Sequence, residues 1–144
     1  MRILVLNGPN LNLLGVREPG LYGRVDYAAL IDMIEQEAQR LGVEVECRQS
    51  NHEGDLVDAI QEARLSCGAI VINPGAYTHT SIAILDALKA VNLPAAEVHI
   101  TDIAKREEFR KISYAGMACG AHFIGHGVKG YLEALCWAAK QAKQ

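Results

Sequence analysis

Residues 69–75 read AIVINPG, and this stretch decides the fold class. Four small or apolar residues run into Asn73, and Pro74 then ends the run, a pattern typical of a short buried strand. An amphipathic helical pattern precedes the stretch over 55–65, and another follows it over 80–91. A buried strand between two helices predicts βαβ units and a parallel sheet.

The rest of the chain repeats this alternation of strand and helix. Strands are predicted over 2–7, 43–49, 95–101 and 119–125, and further helices over 26–41 and 128–142. Asp26 is placed to cap one helix start, and Gly42 its end. The pattern predicts an α/β protein of one domain, residues 1–144: a flavodoxin-like, doubly wound, five-stranded parallel sheet in a three-layer sandwich.

Composition limits the classes of partner. Half of the 144 residues are hydrophobic, and the net charge of −3 gives no general attraction to nucleic acid or to anionic membranes. No apolar run approaches the ~20 residues of a membrane span. The cysteines have no metal-site spacing and are predicted to be reduced, mostly buried thiols. We expect a cytoplasmic protein with no metal site, no nucleic-acid partner and no membrane partner.

The predicted topology gathers polar residues at one edge of the sheet. In this fold, ligands bind beyond the carboxyl ends of the strands, near the switch point between the first and third strands. Polar residues follow the first, third and fourth strands there: Asn10, Asn12, Arg17 and Tyr22; Asn73, His79 and Ser81; His99, Thr101, Arg106 and Arg110.

Arg17 and Tyr22 lie in the long connection after the first strand. They are either a solvated cation and an amphipathic anchor or a catalytic pair. Tyrosine has a pKa of about 10, so ionisation at pH 7 costs about 4 kcal/mol. A neighbouring guanidinium favours the phenolate, and Pro19-Gly20 supplies a turn that could bring the two side chains together.

Two further patterns keep alternatives open. His99 is either structural or a general acid whose ring Glu97, two residues earlier on the same strand face, helps to orient. The segment 105–111, KREEFRK, is either a solvated charged helical face or a face whose Arg106 and Arg110 close over an anionic substrate.

Two apparent motifs are set aside. Ser81 and His79 lack the G-x-S-x-G elbow of a hydrolase. The run 125–130, GHGVKG, has dinucleotide-motif spacing but follows the last strand, so we interpret it as helix–sheet packing.

Four longer stretches resemble one family. They are residues 6–23 (LNGPNLNLLGVREPGLYG), 51–60 (NHEGDLVDAI), 72–88 (INPGAYTHTSIAILDAL) and 97–113 (EVHITDIAKREEFRKIS). Together they are similar to the type II 3-dehydroquinate dehydratases of the shikimate pathway, over essentially the whole chain.

The resemblance implies a cofactor-free, reversible dehydration of 3-dehydroquinate to 3-dehydroshikimate in aromatic amino acid biosynthesis. It implies that Tyr22 is the tyrosinate base, favoured by Arg17, that Asn10 helps to stabilise an enolate, and that His99 protonates the departing hydroxyl. By motif position, the substrate-binding residues are Asn73, His79, Ile100, Thr101 and Arg110, with Arg106, Asn12 and Glu97 as supporting residues. Asp86 matches an aspartate that reaches a neighbouring subunit's site, in dodecamers built from trimers.

The chain departs from the family's usual text at Leu85, at Asp102 and over 111–127, KISYAGMACGAHFIGHG. The residues present disfavour two other functions. A non-catalytic relative that binds a ring acid is disfavoured because Tyr22, Arg17 and His99 are all present. A nucleotide or flavin module is disfavoured because residues 7–10, NGPN, offer one glycine and no hydroxyl cluster.

Overall fold

A computed structural model of the protein describes residues 1–16 and 25–142. The strands of these residues are β1 (Arg2–Asn7), β2 (Glu44–Gln49), β3 (Ala69–Asn73), β4 (Ala95–His99) and β5 (Ala121–Ile124). The helices are α1 (Tyr27–Leu41), α2 (Glu53–Ser66), α3 (Ile82–Val91) and α4 (Lys129–Ala142). The strands are all parallel in the order β2-β1-β3-β4-β5, which confirms the predicted flavodoxin-like sheet.

Alternate residues of the central strands enter two separate cores. On one face of the sheet, α1 and α4 cover a core that includes Ile3, Val5 and Val71. On the other face, α2 and α3 cover a core that includes Leu4, Leu6, Ile70 and Ile72. Apolar residues therefore follow one another along β1 and β3 without polar interruption, because both sides of each strand are buried.

The predicted capping of α1 is confirmed. The Asp26 carboxylate accepts a hydrogen bond from the Ala29 amide at 2.8 Å, and Gly42 ends the helix at a φ of 72°. Leu30, Ile34 and Ala38 form its buried stripe. The cysteines are free but only half-buried, so the expectation of mostly buried thiols was wrong.

One predicted element is wrong. Residues 105–111 do not form a helical face; the chain makes two 3-10 turns there, Ile103–Lys105 and Glu108–Arg110, with Arg106 extended between them. The segment has no apolar stripe that could dock a helix on the sheet. Local hydrogen bonds hold it instead, such as the one that the Arg110 amide donates to the Glu107 carbonyl at 2.9 Å.

The connection after β1 is long, as predicted. Its described part begins with a 3-10 turn, Leu11–Leu13, and Leu11 and Leu14 are buried while Leu13 is exposed. Arg17 and Tyr22 lie outside the described residues. Across 1–16 and 25–142, no helix is long and apolar enough to cross a membrane.

Candidate active site

A cavity of about 200 Å³ opens at the carboxyl ends of β1, β3 and β4. This is the edge of the sheet that the topology predicted for a ligand. Eight of the sequence-predicted residues line it: Asn10, Asn73, His79, His99, Ile100, Thr101, Arg106 and Arg110. The other described residues that line it are Pro9, Leu11, Leu14, Gly75, Ala76 and Ile103. The structure thus brings together residues from four separate stretches of sequence.

Three other predicted residues lie elsewhere. Glu97 is buried and accepts a hydrogen bond from His99 instead of lining the cavity. Asn12 lies outside the lining, where its side-chain carbonyl accepts a hydrogen bond from Gln49 at 3.4 Å. Asp86 is exposed on α3 and lines no part of this chain's cavity.

Close backbone contact positions the two loops that form the cavity rim. The Gly8 amide donates to the Asn73 carbonyl at 2.8 Å, and a Cβ at Gly8 would lie 2.2 Å from the Pro74 carbonyl oxygen. Only glycine permits that approach. Asn10 then adopts a φ of 70°, and its amide donates to the Asn51 side chain at 3.0 Å. Hydrogen bonds from Gly8 to Asn73 and from Asn10 to Asn51 therefore hold the backbone of residues 8–10 in place.

His99 lies at the buried end of β4 against a carboxylate. Its Nε2 lies 2.9 Å from Glu97 Oε2, and the two residues are only 5% and 1% exposed. The contact between the two side chains is direct. Because a carboxylate only accepts hydrogen bonds, Nε2 carries the hydrogen. This arrangement fixes the orientation of the ring.

Glu97 stays ionised although it is buried. Burial raises the pKa of its carboxyl, but hydrogen bonds from His99 and Ser113, the charge of His99 and a hydrogen bond from His122 bring the pKa down to about 2. The Ser113 hydroxyl donates to Oε2, and His122 Nδ1 lies 2.7 Å from Oε1. A Cβ at Gly116 would lie 2.5 Å from Oε1, so glycine there leaves room for the carboxylate.

No local sequence pattern points to these additional partners of Glu97. The sequence motifs assign no catalytic or binding role to His122, Ser113 or Gly116. The register Glu97↔His122 across β4 and β5 brings the second imidazole to the carboxylate. Such a register becomes visible only once the strands are paired.

A buried hydrogen-bond network holds Asn73. Its Nδ2 donates to the Tyr131 hydroxyl at 2.8 Å, and that hydroxyl donates to Asn7 Oδ1 at 2.6 Å. Asn73 Oδ1 also accepts from the Gly75 amide at 3.1 Å. Burial raises the pKa of Tyr131, which keeps it a neutral hydrogen-bond donor. The network therefore fixes the Asn73 amide at the cavity wall.

Two guanidinium groups give the cavity a positive charge. The side chains of Arg106 and Arg110 are 17% and 21% exposed, and both lie near the Glu107 carboxylate, with Arg110 Nε at 2.7 Å from it. Arg110 reaches the cavity from the second 3-10 turn and Arg106 from the extended residue between the two turns, so the two do not share one helical face. Half-buried arginines bind carboxylates well because the guanidinium donors are planar and always charged.

His79 is held through a backbone carbonyl. Its Nδ1 lies 2.7 Å from the Ile112 carbonyl oxygen, so Nδ1 carries the hydrogen. Burial lowers the pKa of His79, and the positive charges of His99, Arg110 and Arg106 lower it further, against the effect of the Ile112 bond. The ring is therefore neutral near pH 7, and Nε2 is a hydrogen-bond acceptor.

The Ser81 hydroxyl has a structural use. It is 2% exposed and caps α3 by accepting from the Ile84 amide at 3.0 Å. It does not line the cavity. This agrees with setting aside the hydrolase interpretation. Within the part of the chain that the structure describes, no group of three or more His, Cys, Asp or Glu side chains could hold a metal ion.

The arrangement combines three chemical capabilities. The buried His99–Glu97 pair can supply a proton, the two arginines can bind an anion, and Asn73 with His79 offers fixed polar groups for hydroxyls. Such a site suits a small, oxygen-rich acid.

Comparison with known proteins agrees with this chemistry. Residues 1–139 match the family model of class II dehydroquinase. The chain is 54% identical over 135 residues to a 3-dehydroquinate dehydratase of Caldicellulosiruptor bescii, which covers 93% of each chain.

Two solved structures share the fold. The type II dehydroquinase of Butyrivibrio crossotus matches with a TM-score of 0.94 and 50% identity, over 96% of this chain and 97% of that one. That of Propionibacterium acnes matches with a TM-score of 0.92 and 43% identity, over 96% of each chain. The family resemblance predicted from the sequence is thereby confirmed, and the chain belongs to the class II dehydroquinases.

Proposed function

We propose that residues 1–144 act as one catalytic domain that reversibly dehydrates 3-dehydroquinate to 3-dehydroshikimate, in the shikimate pathway. The observation that carries the proposal is the buried His99–Glu97 pair at a cationic cavity, in a chain of the class II dehydroquinases. The reaction passes through an enolate, so it needs a base, an oxyanion stabiliser and an acid for the departing hydroxyl.

His99 is the acid for the departing hydroxyl. The contact with ionised Glu97 orients the ring, and the imidazolium gives up one proton to the hydroxyl as the carbon–oxygen bond breaks. Water leaves, and the neutral ring keeps the hydrogen on Nε2 that bonds to Glu97. Glu97 itself transfers no proton, because its pKa of about 2 keeps it a carboxylate; burial opposes this value and the hydrogen bonds from His99 and Ser113 outweigh burial.

Tyr22 is the base that removes the proton alpha to the ketone, and Arg17 favours its phenolate. Both lie outside the described residues, so support comes from the motif LNGPNLNLLGVREPGLYG and from charge. Without a cation, ionising a tyrosine at pH 7 costs about 4 kcal/mol, and an adjacent guanidinium offsets part of that cost.

The remaining cavity residues stabilise the enolate and bind the substrate. Asn10 serves the enolate oxygen through a water, supported by its place on the fixed rim of the cavity. Arg110 binds the substrate carboxylate or nearby hydroxyls, and Arg106 helps to close the site. The other binding residues are Asn73, His79, Ile100 and Thr101, with Asn12 in support. The proposed steps use no cofactor.

The active assembly is a dodecamer of four trimers in the cytoplasm. Asp86 reaches the neighbouring subunit's site in this arrangement. Its exposure on α3, outside this chain's own cavity, supports that role.

Purified chain without added metal should convert 3-dehydroquinate, seen as rising ultraviolet absorbance of the conjugated enone product. Tyr22→Phe is the matched variant: we expect it to lose most turnover and to keep ligand binding, because it loses only the ionisable hydroxyl. Binding without turnover by the unmodified chain would favour a non-catalytic ring-acid-binding relative. Near-normal turnover by Tyr22→Phe would remove Tyr22 as the base.

A further inference from the structure

Glu97 bonds a second histidine that the proposed mechanism does not use. Glu97 Oε2 lies 2.9 Å from His99 Nε2, and Glu97 Oε1 lies 2.7 Å from His122 Nδ1. One carboxylate therefore joins an imidazole at the cavity to an imidazole outside it.

The sheet itself dictates this arrangement. Glu97 and His122 are register partners on the parallel strands β4 and β5, so their side chains leave the sheet on the same face. His99, two residues after Glu97, lies on that face as well. The His122 side chain is 46% exposed and that of His99 only 6%, so His122 meets solvent while His99 does not.

We infer that His122 is a positioning residue for the proposed dehydration, fixing the Glu97 carboxylate and controlling how much of its negative charge acts on His99. The inference rests on the proposed function for its effect on turnover. The contact between His122 and Glu97 stands independently of that function.

The direction of the effect follows from charge. A hydrogen bond from neutral His122 takes up part of the Glu97 charge and leaves less to stabilise the imidazolium of His99. When His122 is itself protonated, its positive charge also opposes a second cation on the same carboxylate. Both effects work in the same direction. Loss of His122 should therefore let His99 hold its proton to higher pH.

The other groups around the pair do not connect it to solvent in this way. Ser113 bonds Glu97 Oε2 but does not titrate in the relevant range. The Cys119 thiol faces Glu97, and burial, followed by the Glu97 charge, raises its pKa to about 12, so it remains neutral. On the cavity side, His99 faces His79, near the cations Arg106 and Arg110. Among the described residues, His122 is the titratable group that bonds Glu97 from the exposed side.

Two substitutions separate the hydrogen bond from the charge. His122→Leu removes both, whereas His122→Gln keeps a neutral donor. His126→Leu is the matched control, because His126 is 47% exposed and bonds Glu133, away from the cavity. For His122→Leu, the alkaline limb of the kcat–pH profile should move up by about one pH unit, with a smaller shift for His122→Gln. His126→Leu should leave the limb in place.

An NMR titration gives a readout that does not depend on turnover. Histidine Cε1 labelling follows the five imidazoles of the chain, and the His99 resonance in His122→Leu should titrate at higher pH than in the unmodified chain. An unchanged His99 titration in folded His122→Leu would overturn the inference, as would an equal shift in His126→Leu. A shifted titration in a chain that does not turn over 3-dehydroquinate would uphold the coupling and overturn the proposed function.

Discussion

Two histidines line the same cavity in opposite surroundings. His99 is buried and its Nε2 meets the Glu97 carboxylate at 2.9 Å. His79 is half-buried, and its Nδ1 meets the neutral carbonyl of Ile112 at 2.7 Å. Burial lowers the pKa of His79, and nearby cations lower it further. The same side chain thus meets a carboxylate in one place and, in the other, a neutral carbonyl in surroundings that favour the neutral ring.

This difference separates two tasks. A charged imidazole can donate a proton to a leaving group, whereas a neutral one can accept a hydrogen bond from a bound hydroxyl. Residue type alone would not distinguish them. The partner of the ring nitrogen does, because a carboxylate stabilises the imidazolium and a carbonyl beside two arginines does so far less.

The largest effect is expected from His99→Gln. Glutamine can still bond Glu97 but cannot donate a proton at neutral pH, so kcat should fall by about 10²–10⁴-fold with little change in KM. Steady-state rates of enone formation measure both constants. A fall in kcat below tenfold, in a variant that binds substrate normally, would contradict the role of His99 as the acid and would break the comparison.

A second effect, on stability, is expected from Glu97→Gln. The pKa of Glu97 falls from 4.5 to about 2 on folding, because hydrogen bonds from His99 and Ser113 outweigh the burial that raises it. A carboxyl whose pKa is depressed by folding stabilises the folded state above pH 4.5, and that contribution disappears as the pH falls toward 2. It amounts to something on the order of 3 kcal/mol. Glu97→Gln should lose the part of the acid-induced slope that Glu97 supplies.

Urea unfolding between pH 2 and pH 7 tests this contribution. The control is Glu133→Gln, which makes the same change at a half-exposed histidine partner, where solvent screens the pair. If the free energy of unfolding depends equally on pH in Glu97→Gln and in the unmodified chain, the Glu97 carboxylate does not supply this stability. That result would contradict the stabilising bond between ionised Glu97 and His99.

Much of the fold was predictable because its signals are local. Buried runs such as 69–75 indicate strands, stripes such as Leu30, Ile34 and Ala38 indicate helices, and Asp26 with Gly42 limits α1. Their alternation then dictates the parallel sheet. The segment 105–111 was mispredicted because charged residues are common in helices, while only tertiary packing decides whether a helix has anything to dock against.

The site was predictable where it depends on strand ends and not where it depends on register. Asn73 and His99 end their strands, so topology alone places them at one edge. His122 reaches Glu97 only through the pairing of β4 with β5, and Tyr131 reaches Asn73 across 58 positions of sequence. Neither contact leaves a trace in local spacing, because both depend on how distant segments pack.

The smallest effect is expected from His79→Asn, which tests the neutral side of the comparison. The asparagine amide can still donate to the Ile112 carbonyl but has no counterpart of Nε2, so one substrate hydrogen bond is lost. KM should rise about tenfold with kcat nearly unchanged, since the bond serves ground state and transition state alike.

In the unmodified chain, KM should also rise in acid, as His79 protonates and loses its acceptor. Burial lowers the pKa of His79, and the nearby cations lower it further. The increase in KM should therefore occur below pH 6.5. The variant should lack this rise, and His52→Asn, an exposed site away from the cavity, should behave like the unmodified chain. A fall in kcat as large as that for His99→Gln would mean that both histidines take part in proton transfer.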